Sequence, residues 1–138
     1  MPDESSRVLY RCMTECLADG LPEFDAGERP GLKARVPIDI KPDKEGQVLP
    51  NKGGLSISPD HPKNLPPPYR PDSLEGGYAE EPLYSTEVGT LPQGLAFRPA
   101  PKNPDKHGYI EPKNGMMLEA YQSALYSTRP SWKKRNDF

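Results

Sequence analysis

Proline spacing governs what this chain can become. Nineteen of its 138 residues are proline, and each removes a backbone donor and fixes φ. Between residues 21 and 50, prolines recur at 22, 30, 37, 42 and 50, so no helix of useful length fits there. From 113 to 129 there is none. In that window Met117, Leu118, Tyr121, Ala124 and Leu125 recur at three- and four-residue steps, the period of one helical face. The spacing predicts a helix over 115–127, with Asn114 as its cap and Pro130 just past its end.

Most of the rest reads as strand and loop. Leu, Ile, Val and Phe supply only 24 of 138 residues, a thin core for a folded domain. A net charge of −2 lacks the self-repulsion that keeps chains disordered. Seven tyrosines, four methionines and one tryptophan add buriable area. One loop-rich domain over 1–138 follows. Strands are predicted at 7–11, 55–58, 83–88, 95–98 and 107–111, with an edge strand at 36–40. Residues 12–20 read as a short helix or a loop turn.

Several classes are excluded. No stretch approaches the ~20 apolar residues of a membrane span. The first six residues lack a basic region followed by an apolar one, so a Sec-type signal is not expected. Action in a cytoplasm is expected, after export by another route if it is exported at all. Cys12 and Cys16 are too few for a disulfide scaffold and have no Cys/His cluster to complete a metal site. The balanced charge gives no footprint for nucleic acid. Lys133-Lys134-Arg135 reads as a solvated tail.

Two phrases carry the chemistry. Leu9-Tyr10-Arg11 reads as a strand that delivers an arginine, and Gly53-Gly54-Leu55-Ser56-Ile57-Ser58 as a glycine turn running into a strand with two serines on one face. A guanidinium is a planar fork of donors suited to a pyrophosphate. The two hydroxyls are placed to shape a ligand. Breaking a nicotinamide–ribose bond passes through an oxocarbenium-like state that a carboxylate stabilises. Glu111, at a strand end, is the candidate carboxylate, and His107 the candidate for orienting substrate. Glu119 is expected to face solvent.

These phrases, followed by the Gly89-Thr90-Leu91-Pro92 turn, His107-Gly108-Tyr109-Ile110-Glu111-Pro112 and Met117 before the closing helix, resemble a known family over about residues 8–126. The family is the small ADP-ribosyltransferase-like toxins typified by a cytoplasm-acting type VI secretion effector, with bacterial and fungal relatives. The resemblance implies an α+β, ADP-ribosyltransferase-like fold in which two small twisted sheets form a cleft for NAD. It implies an NAD-using transferase or glycohydrolase toxin, with an immunity protein as partner and a macromolecular target. Arg11 matches the family's first-strand arginine. Leu55 and Ser56 stand at its Thr-Ser pair, with leucine in place of threonine. His107 and Pro112 match its His-to-Pro strand. Glu111 matches no family glutamate, and the Glu-x-Glu signature of many transferases is absent. The cofactor-binding candidates are thus Tyr10, Arg11, Leu55, Ser56 and Ser58; the catalytic candidates are His107 and Glu111.

Two rivals remain open. Pro66-Pro67-Pro68-Tyr69 is a Pro-Pro-x-Tyr phrase of the kind WW domains read as a polyproline II ligand, which would make the chain a disordered, proline-rich, non-enzymatic adaptor. The same type of fold could also move a phosphate from RNA, a chemistry that wants more basic groups than can be placed around Arg11.

Overall fold

The computed structural model describes residues 4–138. Eight strands and one α-helix follow in order: β1 (Val8–Cys12), β2 (Gln47–Val48), β3 (Leu55–Pro59), β4 (Leu83–Glu87), β5 (Leu95–Pro99), β6 (Gly108–Pro112), β7 (Met116–Met117), α1 (Leu118–Ser127) and β8 (Lys133–Arg135). The class is α+β. Six strands form one antiparallel sheet in the order β5-β6-β3-β1-β4-β8, and β2 pairs with β7 in a separate small sheet. In place of the two small cleft-forming sheets expected from the sequence, one sheet carries six strands, with β5-β6-β3 as one half and β1-β4-β8 as the other.

The join between those halves is short. β1 meets β3 only at Leu9–Pro59 and Tyr10–Ser58, whereas β1 and β4 pair along five residues. Beyond Tyr10 the central strands part. Proline and glycine set this up. Pro59 and Asp60, whose φ is +74°, turn the chain away at one end of β3. Gly54 enters the other end at φ +153°, where a Cβ would lie 2.6 Å from the Ile110 carbonyl oxygen, so only glycine admits β6 this closely.

Alternation decides the faces. Leu9, Leu55, Ile57 and Ile110 turn to one side and are fully buried. Tyr121 and Leu125 of α1 join them in the main core, with Trp132 and Tyr84. Tyr121 ties helix to sheet: its hydroxyl donates to the Ile110 carbonyl at 2.6 Å and accepts from the Leu55 amide at 3.1 Å. Tyr10, Cys12, Leu65, Ala79 and Leu83 form a smaller cluster.

Several expectations change. The helix begins at Leu118 with Met117 as its N-cap, not at Asn114, because Met116–Met117 pairs with Gln47–Val48 instead. Residues 36–40 form a turn with a single bridge, Ile40–Gly53, not an edge strand. The chain over 12–20 takes the loop option, leaving Leu17 94% exposed. Lys133-Lys134-Arg135 is no free tail: it is the edge strand on β4, fixed by the buried Trp132 before it. Arg135 donates to Ser85 Oγ at 3.1 Å and Lys134 to Glu15 at 2.8 Å. Charged side chains on an outer strand also discourage further pairing. Finally, Pro67–Tyr69 is a 3₁₀ turn, not polyproline II. Tyr69 and Tyr78 amides donate to Pro66 and Pro67 carbonyls. No helix among the described residues is long and apolar enough to cross a membrane.

Candidate functional site

Where β1 and β3 part, a cavity of about 1030 Å³ opens. Arg11, Ser56, Ser58 and His107 all line it. The arginine and the serine strand, 45 residues apart in sequence, are thus brought together: Arg11 Nη1 donates to the Ser56 carbonyl at 2.8 Å. The other wall is the irregular segment 24–36, and the floor is the start of α1 through Leu118, Glu119 and Gln122. Tyr69 stands at the rim, half exposed.

Segment 24–36 has no regular structure, so its shape needs explicit ties. Leu32 and Lys33 amides donate to the Glu23 and Phe24 carbonyls at 3.0 and 2.8 Å, and Leu32 is anchored in the core. Gln122 grips Ala34 twice, accepting from its amide at 3.0 Å and donating to its carbonyl at 2.8 Å. Arg11 holds the Gly31 carbonyl through Nε at 3.1 Å and Nη2 at 2.9 Å. Gly31 is required there, since a Cβ would meet the Phe24 carbonyl oxygen at 2.8 Å.

Arg11 is the part-buried cation of the cavity wall, while Arg29, also in the lining, is exposed. Lys33 pairs with Asp25 at 3.5 Å and Arg35 with Asp39 at 3.3 Å. Arg11 bonds only to neutral carbonyls. Burial pushes its pKa down to about 10; Asp39 opposes this less strongly, and Arg35 adds a smaller lowering of its own. It stays charged at neutral pH, and two of its five N–H donors remain uncommitted. Ser58 is fully buried and its hydroxyl has no hydrogen-bond partner, although buried polar atoms normally find one. Burial lowers the pKa of His107, which favours neutral imidazole.

Three of the expected site residues lie elsewhere. Glu111 is buried and paired with Arg98, Nε to Oε1 at 2.5 Å, and also accepts the Asn51 amide at 3.0 Å. It does not line the cavity; its carboxylate is taken up by Arg98 of β5. Leu55 is in the core. Tyr10 packs edge-on against Phe138, ring centroids 5.8 Å apart. Glu119 is exposed, as expected, and it also lines the cavity. Its three-residue spacing from Gln122 was the available signal. Segment 24–36 carried none, being aperiodic.

Comparison with protein-family models, with characterised proteins and with solved structures returns no match to this chain. Among the described residues no group of His, Cys, Asp or Glu could hold a metal ion.

Proposed function

We propose that this protein is a toxin acting in a cytoplasm, and that it transfers ADP-ribose from NAD to a macromolecular acceptor. The observation that carries this reading is the convergence of Arg11, Ser56, Ser58 and His107 on one cavity at the split of the sheet. Its volume of about 1030 Å³ reaches the top of the ~300–1,000 Å³ range of small-molecule sites, roomy enough for a dinucleotide. An ADP-ribosyltransferase-like arrangement of the two half-sheets around it is the finer fold reading that accompanies the proposal.

Arg11 supplies charge and free donors for the diphosphate. Ser58, whose hydroxyl lacks a protein partner, and Ser56 bond the ribose on the nicotinamide side, and His107 orients it. The bond that breaks joins ribose C1′ to nicotinamide nitrogen, and its electron pair leaves with the neutral nicotinamide. Positive charge then develops on the sugar, and an acceptor nucleophile forms the new bond to C1′ as it gives up its proton. A carboxylate is needed beside that charge. With Glu111 committed to Arg98, Glu119 takes this role: it lines the cavity and is exposed, so a ligand there can reach it. An immunity protein that covers the mouth is the expected partner in the producing cell.

Expression in a bacterial or yeast cytosol tests the reading. Wild type should arrest growth and deplete NAD, whereas Arg11→Ala and Glu119→Gln should be tolerated. Labelled ADP-ribose on a macromolecule indicates transfer, and free ADP-ribose alone indicates hydrolysis. Harmless wild-type protein with undiminished NAD would sink the proposal.

A further inference from the structure

Glu111 lies outside the cavity, yet it is joined to it by an unbroken line of contacts. His107 immediately before β6, then Tyr109 and Glu111 within it, stand two residues apart and so share a face of the sheet. The register of β5 with β6 sets Arg98 directly across from Tyr109. Arg98 lies 4.8 Å from the centre of the Tyr109 ring and pairs with Glu111 at 2.5 Å. On the cavity side, the His107 and Tyr109 ring centroids are 4.8 Å apart, tilted by 60°.

The His107 imidazole makes no hydrogen bond among the described residues; only its backbone does, to Asn103 and Ala100. The other histidine, His61, accepts from the Lys63 amide. The ring contact that the His107 imidazole makes is with Tyr109. The Tyr109 ring is held in turn by a guanidinium plane, which stacks on aromatic faces as an ammonium cannot. That plane is fixed by Glu111, itself anchored by the Asn51 amide. Burying an ion pair is expensive unless its geometry is good. Here the pair sits where it sets a ring, and that ring sets the one imidazole in the cavity wall.

We propose that Glu111 is a positioning residue, acting through Arg98 and Tyr109 to hold His107 in the orientation it presents to the cavity. Only its consequence for turnover rests on the NAD reading; the positioning itself does not.

With two histidines in the chain, the carbon-bound imidazole protons can be followed individually by NMR. His107→Gln assigns the signals, and His61, away from the stack, reports the integrity of the fold. Tyr109→Leu defines the His107 position without the ring. Glu111→Gln should carry the His107 signal most of the way there while His61 stays. If Glu111→Gln fails to fold, the paired change Arg98→Met with Glu111→Leu removes both charges and leaves no buried ion unpaired; the same His107 displacement is expected. Where wild type consumes NAD, either variant should lose roughly tenfold in rate, with little further loss on adding His107→Gln. A His107 signal at its wild-type position in either folded variant overturns the proposal, as does full NAD turnover with a displaced His107. Absence of turnover in wild type refutes the NAD reading instead, and the NMR result still decides the positioning.

Discussion

Replacing Arg11 by methionine separates a ligand-binding role from a structural one. Burial pushes the Arg11 pKa from its ordinary 12.5 down to about 10. At 1.36 kcal/mol per pH unit, holding the charge in that place costs the fold about 3 kcal/mol. The cost is present throughout the neutral range, because both folded and unfolded states are protonated there. It is relieved only as pH rises through about 10, where the unfolded chain binds more protons than the folded one and stability climbs. Against this stand three hydrogen bonds from a charged donor to the Gly31 and Ser56 carbonyls. At roughly 1.5 kcal/mol each they contribute about 5 kcal/mol. Arg11→Met thus loses a net of about 2 kcal/mol, a fall in Tm of about 7 °C for a chain this long. Thermal unfolding followed by circular dichroism and by fluorescence of the buried Trp132 measures it. Titration calorimetry with NAD on the folded variant should then show binding abolished. A loss beyond about 4 kcal/mol would make Arg11 chiefly a clamp for segment 24–36. A folded variant that binds NAD as wild type does would remove the guanidinium from the site altogether.

Other outcomes follow from the same packing. Tyr121→Phe strips the hydroxyl that serves both the Leu55 amide and the Ile110 carbonyl; leaving both buried should cost about 2–4 kcal/mol in urea unfolding. Leu125→Ala, at a fully buried helix position, should cost about 2–5 kcal/mol and leave NAD affinity within about threefold at temperatures where it is folded. Because burial lowers the His107 pKa, the unfolded state binds more protons below the ordinary His value of about 6.5. Stability should therefore fall as pH drops through that value, and His107→Gln should flatten the difference between urea midpoints at about pH 7 and about pH 5.5.

How much of this was legible in the sequence varies by element. Strands β1, β3, β4, β5 and β6 fall within a residue or two of where short strand-suited runs between proline and glycine breaks placed them. Strands β2, β7 and β8 were not legible. They are two or three residues long and carry no period; backbone pairing offered by a partner strand makes them strands. The basic run at 133–135 reads as a tail by charge alone, and only the open edge of β4 turns it into a strand. Of the residues lining the cavity, Arg11, Ser56, Ser58 and His107 are the ones that residue type and order singled out. Glu111 was misplaced because chemistry names a carboxylate but not its partner. Arg98 lies 13 residues away in sequence, and only the β5–β6 register brings the two together.

Proline placement and apolar spacing settled on their own that there would be a helix near the end and a run of short strands before it. Those are local matters, fixed by φ restriction and by which face of each element can be buried. Where the sheet splits, which carbonyls Arg11 takes, and which of Glu111 and Glu119 reaches the cavity were settled only in three dimensions. Each depends on pairing between residues tens of positions apart, and loop closure and strand register carry no trace in the neighbouring sequence.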